Sequence, residues 1–81
     1  MRTLTLYIRV NCHLCDEMCK DLLPWSTRLG FQLTVKDIDE DEKLIEQYQY
    51  KVPVLTEQAT EICHFFLDEE MLQKHFSDRL A

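Results

Sequence analysis

The sequence predicts an α/β chain, a four-stranded mixed sheet with three helices covering both faces, in the order βαβαββα. Three observations carry that expectation. Two runs alternating apolar with polar residues are separated by a stretch of helical spacing. Two further short apolar runs bracket a turn-like tetrapeptide, and the chain closes with a second long stretch of helical spacing behind an acidic start.

In the first element, "TLTLYI", Leu4, Leu6 and Ile8 fall on one side of a strand and Thr3, Thr5 and Tyr7 on the other. From Leu14 the spacing becomes Leu14, Met18, Leu22, Trp25 and Leu29, the stripe of a helix that packs one face on a core. Gly30, the only glycine, stands where a helix needs a left-handed stop. Pro24 removes a backbone donor and crowds the preceding turn, so a kink or a restart is expected there.

"FQLTVKDID" alternates again through Phe31, Leu33 and Val35. Because its path from the first strand runs through a helix, the pair should be parallel with a right-handed crossover. "DEDEKLIEQYQY" opens with acidic residues and carries Leu44, Ile45 and Tyr48 on one side, which predicts a short second helix. "PVLT" and "EICHFF" flank "EQAT" as a hairpin. "LDEEMLQKHFSDRL" follows as a third helix, with Asp68 as N-cap and Met71, Leu72, His75, Phe76 and Arg79 at helical spacing.

Length and composition narrow the function. A chain of 81 residues reads as one domain, 1–81, with one small core and its chemistry near the surface. A net charge of -6 argues against nucleic acid or an anionic membrane as the partner. "MRTLTLYIRV" alternates where a signal peptide would carry a solid apolar block, so a cytoplasmic location is expected. In that reducing compartment a close C-x-x-C pair is catalytic or metal-binding rather than part of a permanent disulfide framework.

That pair is Cys12 and Cys15, in "LYIRVNCHLCDEM". Cys12 falls at the junction of loop and helix, where first-turn amides without intrahelical partners and the helix dipole favour a thiolate. His13, if protonated, would add to that effect. Cys12 would then attack a disulfide, and the deeper Cys15 would resolve the mixed disulfide. The same spacing serves zinc, which needs a second pair of ligands. Cys19, Cys63, His13, His64 and His75 are the remaining candidates, and none repeats the spacing. Cys63 and His64, on one strand, point to opposite faces. Cys19 reads as a small buried or half-buried filler on the face of Cys15 or an auxiliary thiol, Cys63 as core, and His64 and His75 as packing or surface residues. Trp25 reads as core or rim, the acidic run Asp37 to Glu42 as a helix cap, and Tyr48 or Tyr50 as a wall of the groove around the thiols.

The tracts "LYIRVNCHLCDEM", "DIDED", "KVPVL" and "EICHFFLD" together resemble the small glutaredoxin-like proteins of the thioredoxin superfamily, here with a C-H-L-C pair, over about Leu4 to Leu72. The resemblance implies a thioredoxin-like, glutaredoxin-type fold with the first two strands parallel and the last two antiparallel. It implies a thiol-disulfide oxidoreductase working by dithiol exchange, with Cys12 as nucleophile and Cys15 as resolving thiol. Arg9, His13, Val52 and Pro53 would surround them and meet substrate, and Pro53 would follow a cis peptide bond that frees the Val52 backbone for pairing. No resident cofactor or metal is expected, only an external donor such as glutathione, a protein or small thiol or disulfide as partner, and a monomeric state. Two other readings stand beside it: a zinc or iron-sulfur module held by Cys12 and Cys15, and a thioredoxin-fold adaptor with idle thiols.

The chain departs from the family at particular positions. No glycine follows Gly30, so the family's usual Gly-Gly turn beyond the fourth strand is absent and Asp68 alone supplies the acid there. Arg9 replaces a common lysine, with Lys51 as a second cation. His13 and Leu14 replace the usual proline inside the pair, Asn11 stands where thioredoxins carry a tryptophan before theirs, and Leu6 where thioredoxins bury an aspartate.

Overall fold

The computed structural model describes the backbone of residues 2–80 and the side chains of residues 2–77. The elements are β1 (Arg2–Ile8), α1 (His13–Leu29), β2 (Phe31–Asp37), a 3-10 turn (Ile38–Glu40), α2 (Glu42–Tyr48), β3 (Val54–Glu57), β4 (Thr60–His64) and α3 (Glu69–Leu80). The sheet order is β2-β1-β3-β4. β1 and β2 run parallel from Arg2↔Phe31 to Ile8↔Asp37, while β3 is antiparallel to both β1 and β4. The expected order βαβαββα and mixed sheet are thus present.

One face of the sheet carries the main core. Leu4 and Leu6 of β1 and Leu55 of β3 meet Met18, Leu22 and Trp25 of α1 and Leu72 and Phe76 of α3. Fully burying each such side chain is worth about 1.5–3 kcal/mol relative to leaving it in water. On the other face Tyr7 of β1 stacks on Tyr48 of α2, ring centroids 4.5 Å apart. The period-2 alternation of β1 therefore feeds two different helical layers.

The caps follow the sequence. Gly30 holds φ 76° at the end of α1, and its N–H donates to Ser26 O at 3.0 Å. Asp41 caps α2 through Lys43 N–H at 2.9 Å, and Asp68 caps α3 through Met71 N–H at 3.0 Å.

Four expectations change. α1 runs through Pro24 without a restart. Pro24 and Leu23 lie on its exposed side, so the lost backbone bond faces water while Leu22 and Trp25 stay packed. Val35 is 45% exposed, because β2 is an edge strand with little covering its end. The hairpin turn contracts to Gln58 and Ala59, with Gln58 at φ 55°. Finally, β4 stops at His64. Phe65 turns out of the strand at φ 67°, while a register shift opposite Leu55 and Thr56 lets consecutive Ile62 and Cys63 both be buried. Arg79, expected on the α3 stripe, lies outside the described side chains. Among the described residues no helix is long and apolar enough to cross a membrane.

Candidate functional site

Sheet register gathers the site. Ile8↔Asp37, Tyr7↔Val54 and Val54↔His64 are paired positions, so four segments meet at one end of the sheet. They are the turn from β1 into α1, the 3-10 turn, the approach to β3 through Lys51 and Val52, and the segment that leaves β4. The thiols stand on the first of these.

Asn11 makes that turn at φ 62°, a left-handed conformation asparagine tolerates better than most residues. It delivers Cys12 as the N-cap of α1. The Cys12 carbonyl accepts the first helical bond from Asp16 N–H at 3.2 Å. Its sulfur accepts from Cys15 N–H at 3.1 Å, in the place a serine or aspartate oxygen usually fills. Cys12 and Cys15 form a disulfide, with Cα atoms 5.2 Å apart. Cys15 is 1% exposed, whereas Cys12 is only half-buried. The pair therefore has an outer and an inner sulfur.

Val52 and Pro53 are joined by a cis peptide bond, and Pro53 is buried. The Val52 N–H donates to Tyr48 O at 3.2 Å, so of the backbone groups expected to be free this one is engaged within the fold. The Pro53 carbonyl accepts from Phe65 N–H at 2.9 Å, which fastens the chain leaving β4 to the cis-proline segment.

The expected cations are all paired. Arg9 donates through Nε and Nη2 to Asp39 Oδ1 at 3.1 and 3.0 Å. His13 is 84% exposed at its side chain and lies 3.1 Å from Glu17. Lys51 Nζ meets Glu61 Oε1 at 2.6 Å, and His64 Nδ1 lies 2.8 Å from Glu61 Oε2. The Lys51 hydrogen bond is the chief cause that holds the Glu61 carboxyl below the usual carboxylate range, with His64 adding to it against burial. Burial is likewise the main cause that raises the Tyr48 phenol above its ordinary value.

Cys19 is a free, half-buried thiol packed against the core, and Cys63 is a free, buried one whose desolvation pushes its thiol up. Tyr50 is 83% exposed while Tyr48 is committed to Tyr7. Among the described residues no three His, Cys, Asp or Glu side chains converge as a metal cluster.

Two features escape a reading of the sequence. Glu57 is a buried carboxylate shared by Arg2 and His75, and its neighbours in the chain give no sign of either partner. Phe65 and Phe66 follow β4, where the resemblance would have set a glycine pair, and Phe65 holds a left-handed φ all the same. The missing glycines were the only signal.

Comparison with known proteins agrees with this geometry. The family model described as Glutaredoxin-like domain (DUF836) matches residues 3–77. The solution structure of protein Ne2328 from Nitrosomonas europaea is 38% identical, with 91% of this chain and 89% of that one covered and a TM-score of 0.83. The X-ray structure of protein XcR50 from X. campestris is 32% identical over 93% of this chain and 96% of that one, with a TM-score of 0.71. Thioredoxin 1 from Thermosipho africanus, at 14% identity, 98% and 99% coverage and a TM-score of 0.66, shares the fold. No match was found among curated proteins. With its outer and inner sulfur at the head of α1, a thioredoxin-like fold and a family match across nearly all of its length, the chain belongs to the glutaredoxin-like domain family.

Proposed function

We propose that this protein is a thiol-disulfide oxidoreductase that cycles Cys12 and Cys15 between dithiol and disulfide. The observation that carries the reading is the asymmetry of the pair: a half-buried Cys12 sulfur capping α1, and a Cys15 sulfur buried one turn deeper.

In the reduced protein the first-turn amides of α1, the Cys15 N–H among them, favour negative charge on Cys12. The Cys12 thiolate attacks one sulfur of a substrate disulfide. A Cys12-substrate bond forms, the substrate S–S bond breaks, and the departing thiolate takes a proton from water. Cys15, having lost its proton to solvent, then attacks Cys12 Sγ and releases the second substrate thiolate. Two electrons pass to the substrate and the protein is left as the Cys12–Cys15 disulfide. An external dithiol, or two molecules of a thiol such as glutathione, reverses the sequence. Val52 would offer its carbonyl to an incoming extended segment, and the buried Pro53 would keep that carbonyl in place.

Turnover of a model disulfide by wild type, Cys12→Ser and Cys15→Ser tests the proposal. Cys12→Ser should be inactive, and Cys15→Ser should accumulate a mixed disulfide on Cys12 that mass spectrometry detects. Full turnover by Cys12→Ser would remove the reading.

A further inference from the structure

The thiol end of the sheet carries a surface that the exchange chemistry alone does not use. Among the described residues, four of the seven exposed large apolar side chains, Val10, Tyr50, Phe65 and Phe66, stand on the segments that meet at this end, while Met71 lies on α3 beside β4, Leu23 on α1 and Val35 on β2. Val10 stands in the turn that delivers Cys12, and Tyr50 leads into Lys51 and the cis-proline. Phe66 is 66% exposed and Tyr50 83%. Apolar groups concentrated at one end of a small acidic protein mark a contact surface.

The Phe65 backbone supports that view. A bulky residue at φ 67° is sterically disfavoured, and glycine would hold the turn at no such cost. The conformation is fixed by Phe65 N–H on Pro53 O at 2.9 Å and Phe66 N–H on His64 O at 2.8 Å. The chain keeps two aromatic rings here although neither is buried.

An open groove of about 820 Å³ runs from Phe66 between the start of α3 and β4, which is an edge strand. Phe66, Leu67 and Met71 give it apolar walls, and Asp68, Glu69 and Glu70 line it with carboxylates. The basic groups of the thiol end are each paired with a carboxylate, Arg9 with Asp39 and both Lys51 and His64, which lines the groove, with Glu61. Each cation is balanced by a neighbouring carboxylate at the surface. An anionic ligand would meet these carboxylates unfavourably, whereas a cationic one would be attracted.

We propose that the groove beside Phe66 docks an extended polypeptide segment of the redox partner, one that carries lysine or arginine around an apolar residue near its disulfide. The inference rests on the exchange reading for its biological use, but the docking itself is non-covalent and separable from it. Apolar side chains of the segment cover Phe66 and Met71, its cations face Asp68, Glu69 and Glu70, and its cystine reaches Cys12 across Phe65.

The test uses two disulfide-bridged peptides of one sequence, flanked by lysines in one and by glutamates in the other. Protein reduced with a phosphine and freed of it is mixed with each, and the thiol state is read by acid quench and mass spectrometry. At an ionic strength of roughly 20 mM the lysine peptide should react at least about tenfold faster, and the advantage should shrink severalfold at roughly 500 mM salt. Glu69→Gln combined with Glu70→Gln should cut the preference, and Phe66→Ser should slow the lysine peptide.

Binding of the same peptides to the Cys12→Ser, Cys15→Ser protein is measured by calorimetry. If wild type reduces neither peptide yet this variant binds the lysine form through Phe66, exchange fails and docking stands. Equal rates for the two peptides, equal binding, or no effect of Phe66→Ser would overturn the docking proposal while leaving exchange intact.

Discussion

Arg2 grips Glu57 along one edge of its guanidinium, with Nε 3.0 Å from Oε2 and Nη2 2.7 Å from Oε1. The carboxylate is 5% exposed and lies at the far end of β3 from the thiols, on the face that packs against α3. His75 Nε2 of α3 reaches the same Oε1 at 2.7 Å, and Arg2 lies over the Phe76 ring at 3.8 Å. The hydrogen bond to Glu57 is the main cause that raises the Arg2 guanidinium still further above its ordinary value. β1, β3 and α3 thus share one polar joint inside an apolar layer.

Glu57→Ala should therefore be costly, because it leaves Arg2 and His75 without the acceptor they share. The expected loss is about 2 kcal/mol, below the cost of stranding a fully buried charge since Arg2 can turn toward water. Urea unfolding should show a lower midpoint with an unchanged slope. Arg2→Ala should have a smaller effect, and the double variant should fall short of the sum. Additive losses would show that the joint does not act as a unit.

This joint marks where sequence reading stops. The alternation of Leu4, Leu6 and Ile8 and the stripe from Met18 to Trp25 are properties of neighbours in the chain, so strands, helices and their order can be read directly. The position of Cys12 and Cys15 is legible for the same reason, as a thiol pair at a junction between two periodicities. Arg2, Glu57 and His75 are far apart in sequence, and only the antiparallel pairing of β1 with β3 and the return of α3 bring them together. The pairing of Arg9 with Asp39 and of Lys51 with Glu61 is hidden likewise. A cation's presence shows in a sequence, but whether it remains available depends on the fold.

Glu61 should give stability a dependence on acid pH. Lys51 and His64 hold its folded-state carboxyl below the usual range, so the folded protein keeps it ionised where the unfolded chain would protonate it. Its contribution is fully present above the unfolded value of about 4.3 and is lost as pH falls through the lower folded value. Urea midpoints taken from neutral pH down through this range should fall less steeply for Glu61→Gln than for wild type. Identical pH slopes would show that the Lys51 and His64 contacts are not maintained in solution.

The free cysteines should label unequally. Desolvation raises the Cys63 thiol, and it is 8% exposed, so little of its reactive thiolate forms near neutral pH. In oxidised protein iodoacetamide should modify Cys63 only after denaturant is added, while half-buried Cys19 labels first. Peptide mass mapping of partly alkylated protein distinguishes the two. Rapid labelling of Cys63 in native protein would mean that the contact between β4 and α3 opens readily.

Gly30 separates conformational cost from crowding. It holds φ 76° where α1 turns into β2, and a β-carbon built there meets nothing within 4 Å. A clash cannot account for any loss on substitution, so Gly30→Ala isolates the left-handed backbone, at about 1 kcal/mol. Gly30→Asn should lose less, because asparagine enters this region more readily. For a chain of this size that loss for alanine lowers the unfolding midpoint by about 4–8 °C, well within the reach of calorimetry. If alanine and asparagine destabilise equally, the left-handed turn is not what fixes the end of α1.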